Sequence, residues 1–183
     1  MKKIVFLFFL VFTLNSVYSQ VFNTGRMLKT GTFSAGINPV IRGNGQGRDI
    51  VINLHGGYGL GKQVSLLARY AVFEGADYLG AGFEWQLKHT RFMDISMIAG
   101  AHMRYDIGLD GSLCISFPVT RELILFTGLD IDLEFGGEMG HYTWLPLGAE
   151  VYWRNRASII LEADLPMSEW AWNIFGGGVK FYF

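Results

Sequence analysis

From about residue 32 to the last residue, apolar side chains recur at every second position. In YLGAGFEWQLKH, Leu79, Ala81, Phe83, Trp85 and Leu87 share one face, while Gly80, Gly82, Glu84, Gln86 and Lys88 share the other. MDISMIAGAHMR sets Met93, Ile95, Met97, Ala99, Ala101 and Met103 against Asp94, Ser96, Ile98, Gly100, His102 and Arg104. LILFTGLDIDLEF opposes Leu125, Thr127, Leu129, Ile131, Leu133 and Phe135 to Asp130, Asp132 and Glu134. LPLGAEVYW and IILEADL repeat the scheme, with Glu150, Glu162 and Asp164 on the polar side. Side chains alternate faces with period two in a strand and return every 3.6 residues in a helix, so these runs are strands.

The runs predict ten strands, near 32–40, 50–58, 64–73, 78–88, 93–104, 110–117, 123–135, 144–153, 158–166 and 172–183. Pro39 interrupts the first and the pair Gly56–Gly57 loosens the second, so eight is the alternative count. Both counts are even. The connectors LGKQ, KHTRF, PVTRE and RNRA are tight and basic. IRGNGQGRD, YDIGLDG, GGEMGHYT and PMSEWA are mostly longer and richer in Gly and acids. Short turns at one end and longer loops at the other are the arrangement of an antiparallel up-and-down transmembrane β-barrel, with both termini on the short-turn side.

Alternation alone leaves open which face points inward, since a soluble barrel would bury the apolar face. Three features favour the inverted arrangement. Gly and Ser fill most of the polar face, and only 17% of the chain is charged, which suits an enclosed lumen better than a wet surface. Several runs reach the ~9–11 residues that a tilted strand needs to cross a bilayer. Aromatics gather near strand ends (Tyr70, Phe73, Trp85, Phe92, Phe117, Phe135, Trp144, Trp153, Trp172 and Phe183), as interfacial girdles require. The fold class expected is therefore an all-β transmembrane barrel.

The first residues carry an export signal. Lys2 and Lys3 precede the apolar core Ile4 to Leu14, which is too short to span a ~30 Å hydrocarbon layer as a helix. Val17 and Ser19 are the small residues a signal peptidase reads, so cleavage after Ser19 would leave Gln20 first. Residues 1–19 are thus expected to be a signal peptide and 20–183 the barrel domain. No later stretch reaches ~18 consecutive apolar residues, so re-entry into a membrane must be by strands.

The chain ends GGGVKFYF. This final alternating strand resembles the C-terminal assembly signal of bacterial outer-membrane β-barrel proteins, through Gly178, Val179, Phe181 and Phe183. In architecture the mature chain looks like the small eight- to ten-stranded barrels of the Gram-negative envelope. The resemblance implies an outer-membrane location, contact with outer-membrane lipid, insertion by the barrel-assembly machinery through the last strand, and a monomer.

The inward charges expected are Arg69, Lys88, Arg104 and Lys180 against Glu84, Asp94, Asp130, Asp132, Glu134, Glu150, Glu162 and Asp164, with His102 able to offset part of the excess. Enclosed charges must pair or stay hydrated, and barrels near eight strands are just filled by side chains. A largely plugged lumen with a salt-bridge network is the expected interior, and a preference for cations follows if a water path exists. The role expected is non-enzymatic: envelope structure, adhesion, or holding an extracellular partner through the loops around 42–49 and 136–143. A narrow, porin-like, cation-preferring pore is the alternative. A rim hydrolase built on Asp130, Asp132 and Asp164 is third, because the Asp-x-His pairing of outer-membrane proteases, which it would resemble, is absent.

Other features exclude more than they suggest. No Lys/Arg run tracks a nucleic-acid backbone, and the net charge is −1. The four His are scattered without metal-ligand spacing, so no cofactor or metal is expected. The glycines of GNGQG open no helix and read as a mobile loop rather than a phosphate cradle. Cys114 falls inward between Ser112 and Ser116 as a small packed thiol.

Overall fold

The computed structural model describes residues 24–183 apart from 45–46, 73–76, 137–139, 155 and 170, and the side chains of 42–44 and 47–49 also lie outside the description. The cleavage site expected at Val17, Ser19 and Gln20 falls outside the described residues, as does Phe73.

Ten strands follow one another: β1 (Phe33–Asn44), β2 (Gly47–Gly59), β3 (Val64–Val72), β4 (Tyr78–His89), β5 (Asp94–Met103), β6 (Ile107–Pro118), β7 (Leu123–Glu134), β8 (Gly140–Trp153), β9 (Ala157–Pro166) and β10 (Ile174–Tyr182). Every neighbour in sequence pairs antiparallel, and β1 pairs with β10 to close the barrel. Closure removes the unpaired edges that an open sheet would present. Phe183 completes the seam, its N–H donating to the Phe33 carbonyl at 2.9 Å and its carbonyl accepting from Phe33 at 3.2 Å.

The two faces are those the alternation predicts. Leu79, Phe83, Met97, Leu113, Leu129, Ile159 and Phe181 are exposed on the outer wall, and the small, polar and charged positions between them are buried inside. Buried charge within and exposed aliphatics without is the reverse of a water-soluble barrel. The outer aromatics Phe33, Tyr58, Phe92, Phe117, Trp153 and Phe183 collect at the end where β1 begins and β10 finishes, and Tyr70, Tyr105, Phe135 and Phe175 at the opposite end. Here the ends are called the terminal end and the far end.

Four local features depart from the expected layout. The ladder of β1 and β2 runs on to Asn44↔Gly47, so residues 42–44 and 47–49 are strand and the loop expected at 42–49 shrinks to its tip. The strand β6 begins at Ile107, three residues before the expected start, because Gly108 and Asp110 continue the ladder to Glu134 and Asp132. Strand β8 begins at Gly140, which confines the connector after β7 to 135–139. A β-bulge shifts the register between Gln86 and Lys88, which sets Lys88 opposite outward-facing Ile95 and leaves it exposed rather than in the lumen. One extra residue in a strand reverses the face of everything beyond it.

Candidate functional site

The interior is the only large enclosed environment such a barrel offers, so the candidate site is the lumen. Its floor, at the terminal end, is built around Glu150 of β8. The hydroxyls of Ser158, Tyr182 and Tyr152 donate to that carboxylate at 2.6, 2.7 and 2.8 Å, and Thr24 donates at 3.2 Å. Neutral donors thus solvate a charge that is 1% exposed. On neighbouring strands Ser96 donates to Glu84 at 2.7 Å, and Asp94 meets Nδ1 of His89 at 2.5 Å. The His89 contact depends on the bulge, which sets His89 opposite Asp94 as it sends Lys88 outward, and the His89 side chain stays 74% exposed.

The segment before β1 enters this same mouth. Thr24, Gly25 and Leu28 are buried. The Gly25 N–H donates to Ser116 Oγ at 2.8 Å, and Gln86 donates to the Gly25 carbonyl at 3.1 Å. A Cβ at Gly25 would lie 2.9 Å from the carbonyl oxygens of Asp94 and Cys114, so only glycine fits between the walls. Arg26 rests over the Tyr152 ring, 5.0 Å from its centroid. Sequence patterning could not reveal this element, because it lies outside the period-two runs.

The middle and upper lumen is partly apolar. Val40, Val51, Ala71, Tyr78, Phe126, Trp144, Ile160, Ala171 and Ile174 form one buried cluster, joined by Tyr142 and Trp172. Trp144 is 1% exposed, stacks on Tyr142 and donates through Nε1 to the Trp172 carbonyl at 2.8 Å. Trp144 and Trp172 were expected in the outer girdle and instead fill the interior. Parts of the connector after β9 are held at the far mouth: Met167 N–H donates to the Thr143 carbonyl at 2.8 Å, Thr143 N–H to Ser168 Oγ at 3.2 Å, and Ala171 and Trp172 join the buried cluster.

Among the remaining charges, Asp130 accepts from Ser112, and Arg69 sits within Coulombic range of Tyr78, Asp110, Asp130 and Asp132. Glu162 and Asp164, both 1% exposed, stand two residues apart on the inner face of β9. Lys180 is buried beneath Tyr182, 5.7 Å from its ring centroid. Arg104 lies just beyond the end of β5, over Tyr105 at 5.2 Å. The last strand points Val179, Phe181 and Phe183 outward and Gly178 inward, where a Cβ would collide with Asn38.

Three interior residues escaped the sequence reading. Asp110 accepts from Tyr78 Oη at 3.3 Å and bonds Nδ1 of His102, and its strand start had been assigned to a loop. His55 lies on the inner face of β2 beside the glycine pair that weakened that strand's pattern. Tyr78 stacks on His102 at 5.1 Å.

Among the residues whose side chains are described, exposed charge is also segregated along the axis. Arg26, Lys29, Lys62, Lys88, Arg91, Arg121, Arg154 and Arg156 are exposed at the terminal end, where Glu122 is the exposed acid among the described residues. Exposed Asp77, Asp106 and Glu169 mark the far end.

No family model matches the chain, and no curated protein matches it. Among solved structures it superposes on the COG4313 outer membrane channel from Pseudomonas putida F1 with a TM-score of 0.60, at 8% identity, over 91% of this chain and 100% of that one. The chain has the fold of a transmembrane β-barrel. It also matches the KdgM porin, solved in complex with disordered oligogalacturonate, with a TM-score of 0.50 at 7% identity, over 83% of this chain and 99% of the porin. At these identities the shared property is the fold.

Proposed function

We propose that the protein is a monomeric barrel of the bacterial outer membrane, with a largely filled lumen and a non-enzymatic role in envelope structure or in holding a partner at its far end. The observation that carries this reading is the packing of both mouths. Thr24 to Leu28 fill the terminal end, and Trp144 with the 167–173 connector fills the far one. Export by the N-terminal signal, and insertion through the strand ending in Phe183, belong to the same reading. The far-end connectors are short, so a partner would meet the hairpin tips and the 135–139 and 167–173 connectors rather than a long loop. Among the described residues His102–Asp110 and His89–Asp94 pair an imidazole with a carboxylate; the His102 ring is 4% exposed and stacked on Tyr78, which supports a non-catalytic role for the interior pair.

The second reading is a narrow cation-preferring pore. It is favoured by the interior carboxylates and by fold neighbours named a channel and a porin. Planar-bilayer recording separates the two, after a boiled-versus-unboiled gel shift has established folding. The filled-lumen reading expects silence from inserted protein. Discrete cation-selective steps that change in the Asp130→Asn/Asp132→Asn variant would replace it with the pore.

A further inference from the structure

Near the far mouth, three adjacent strands bring an imidazole and two carboxylates together. His102 of β5, Asp110 of β6 and Asp132 of β7 each offer one ligand atom, and these atoms all lie within 4.8 Å of one another. Asp110 and Asp132 are direct cross-strand partners on the inner face, where like charges repel; Arg69 offsets part of that repulsion and also faces Asp130. The third donor is an imidazole nitrogen, which suits a transition ion better than a hard cation such as Ca²⁺ or Mg²⁺.

The surroundings are shaped to hold these groups. Gly108 is the direct partner of His102 in the ladder, and a Cβ there would run into the imidazole, so glycine is what lets the ring lie across β6 toward Asp110. Gly80, the partner on the other side, leaves room for the Tyr78 ring, which a Cβ would approach to 2.9 Å. That ring stacks on His102 and its hydroxyl donates to Oδ2 of Asp110 at 3.3 Å, leaving Oδ1 toward the imidazole. Partners of this kind orient metal ligands from outside. Glu134 brings a further carboxylate oxygen to 3.9 Å from Nε2 of His102, and its side chain is 32% exposed.

We propose that this cluster binds one divalent transition-metal ion through a ring nitrogen of His102 and one carboxylate oxygen each from Asp110 and Asp132, with Glu134 or water completing the shell. Such an ion ties β5, β6 and β7 together and neutralises the paired carboxylates. The site depends on the fold alone, so it stands whether or not the lumen conducts.

The test is calorimetric titration of the folded full-length mature protein with ZnCl2 in detergent, alongside MgCl2 and CaCl2. The expected result is saturable uptake of one Zn²⁺ equivalent, with the hard cations binding far more weakly. Asp110→Asn and Asp132→Asn, each passing the gel-shift folding test, weaken Zn²⁺ binding by at least tenfold, and Asp77→Asn, an exposed acid at the same end, leaves it unchanged. If either lumen variant fails to fold, His102→Gln carries the comparison, and the visible spectrum of the Co²⁺-loaded wild type reports whether nitrogen and oxygen ligands are engaged. Folded wild type that takes up no Zn²⁺ saturably overturns the proposal. So does uptake that all three lumen substitutions leave intact.

Discussion

Replacing Leu113 by Arg is the most direct challenge to the outward apolar wall. Leu113 lies in a cross-strand row with Met97 and Leu129, all three exposed and apolar. It is the seventh residue of the twelve in β6. With a rise of ~3.4 Å per residue and a tilt of ~45°, each residue advances about 2.4 Å along the barrel axis. Leu113 therefore stands roughly 12–14 Å from either end of its strand, at the centre of the apolar band. Phe117, four residues on, is about 10 Å nearer the terminal end by the same reckoning. An Arg on the lipid face costs about 2–4 kcal/mol at the midplane and about 0–1 near the interface. Leu113→Arg should then shift the folding equilibrium by roughly 30- to 900-fold, and Phe117→Arg by less than about sixfold. Reversible denaturant titration in lipid vesicles, followed by Trp fluorescence, measures both. Equal effects at the two depths, or none at Leu113, would refute a membrane-facing wall.

Two interior substitutions extend the set. Trp144→Ala removes a ring that is 1% exposed together with its bond to the Trp172 carbonyl, and should cost about 3–5 kcal/mol in the same titration. It should also make dye-loaded vesicles leak, and an effect below about 1 kcal/mol would mean that the upper lumen is not packed as described. Gly25→Val should expel the Thr24–Leu28 segment, because its side chain has no room against the Asp94 and Cys114 carbonyls. Cys114, 2% exposed, should resist maleimide in folded wild type and become reactive in the variant. Equal protection in both would show that the segment does not seal that mouth.

The strands were legible because the bilayer outside and the closed lumen inside impose opposite demands on alternate positions. What hid the rest was small and local. Asp110 was missed because Gly108 and Gly111 around it read as turn residues, whereas Gly108, on the crowded inner wall, marks the close approach of the His102 ring. Lys88 was misplaced because the bulge at Gln86 leaves no mark in the composition. Trp144 carried a usable signal that was overruled: its parity matches Pro146, Gly148 and Glu150, which all face inward. Its position near a strand end suggested a girdle instead. A count of inward charges also leaves out the hydroxyls that hold Glu84 and Glu150, which come from serine, threonine and tyrosine side chains around them. The mouth-filling segment had no period to read.

The seam between β1 and β10 sets an order of events. The first strand pairs with β2 but finds its second partner only once the last has been made, so the chain carries two open edges until the final pairing. Contacts so distant in sequence form slowly, and the exposed edges invite pairing with other chains meanwhile. The segment at Thr24 to Leu28 leads the barrel sequence, yet the pocket that receives it has walls from β4, β5, β6 and β8. The leading end of the barrel sequence is therefore among the last parts to find its place, and its seating reports a finished molecule.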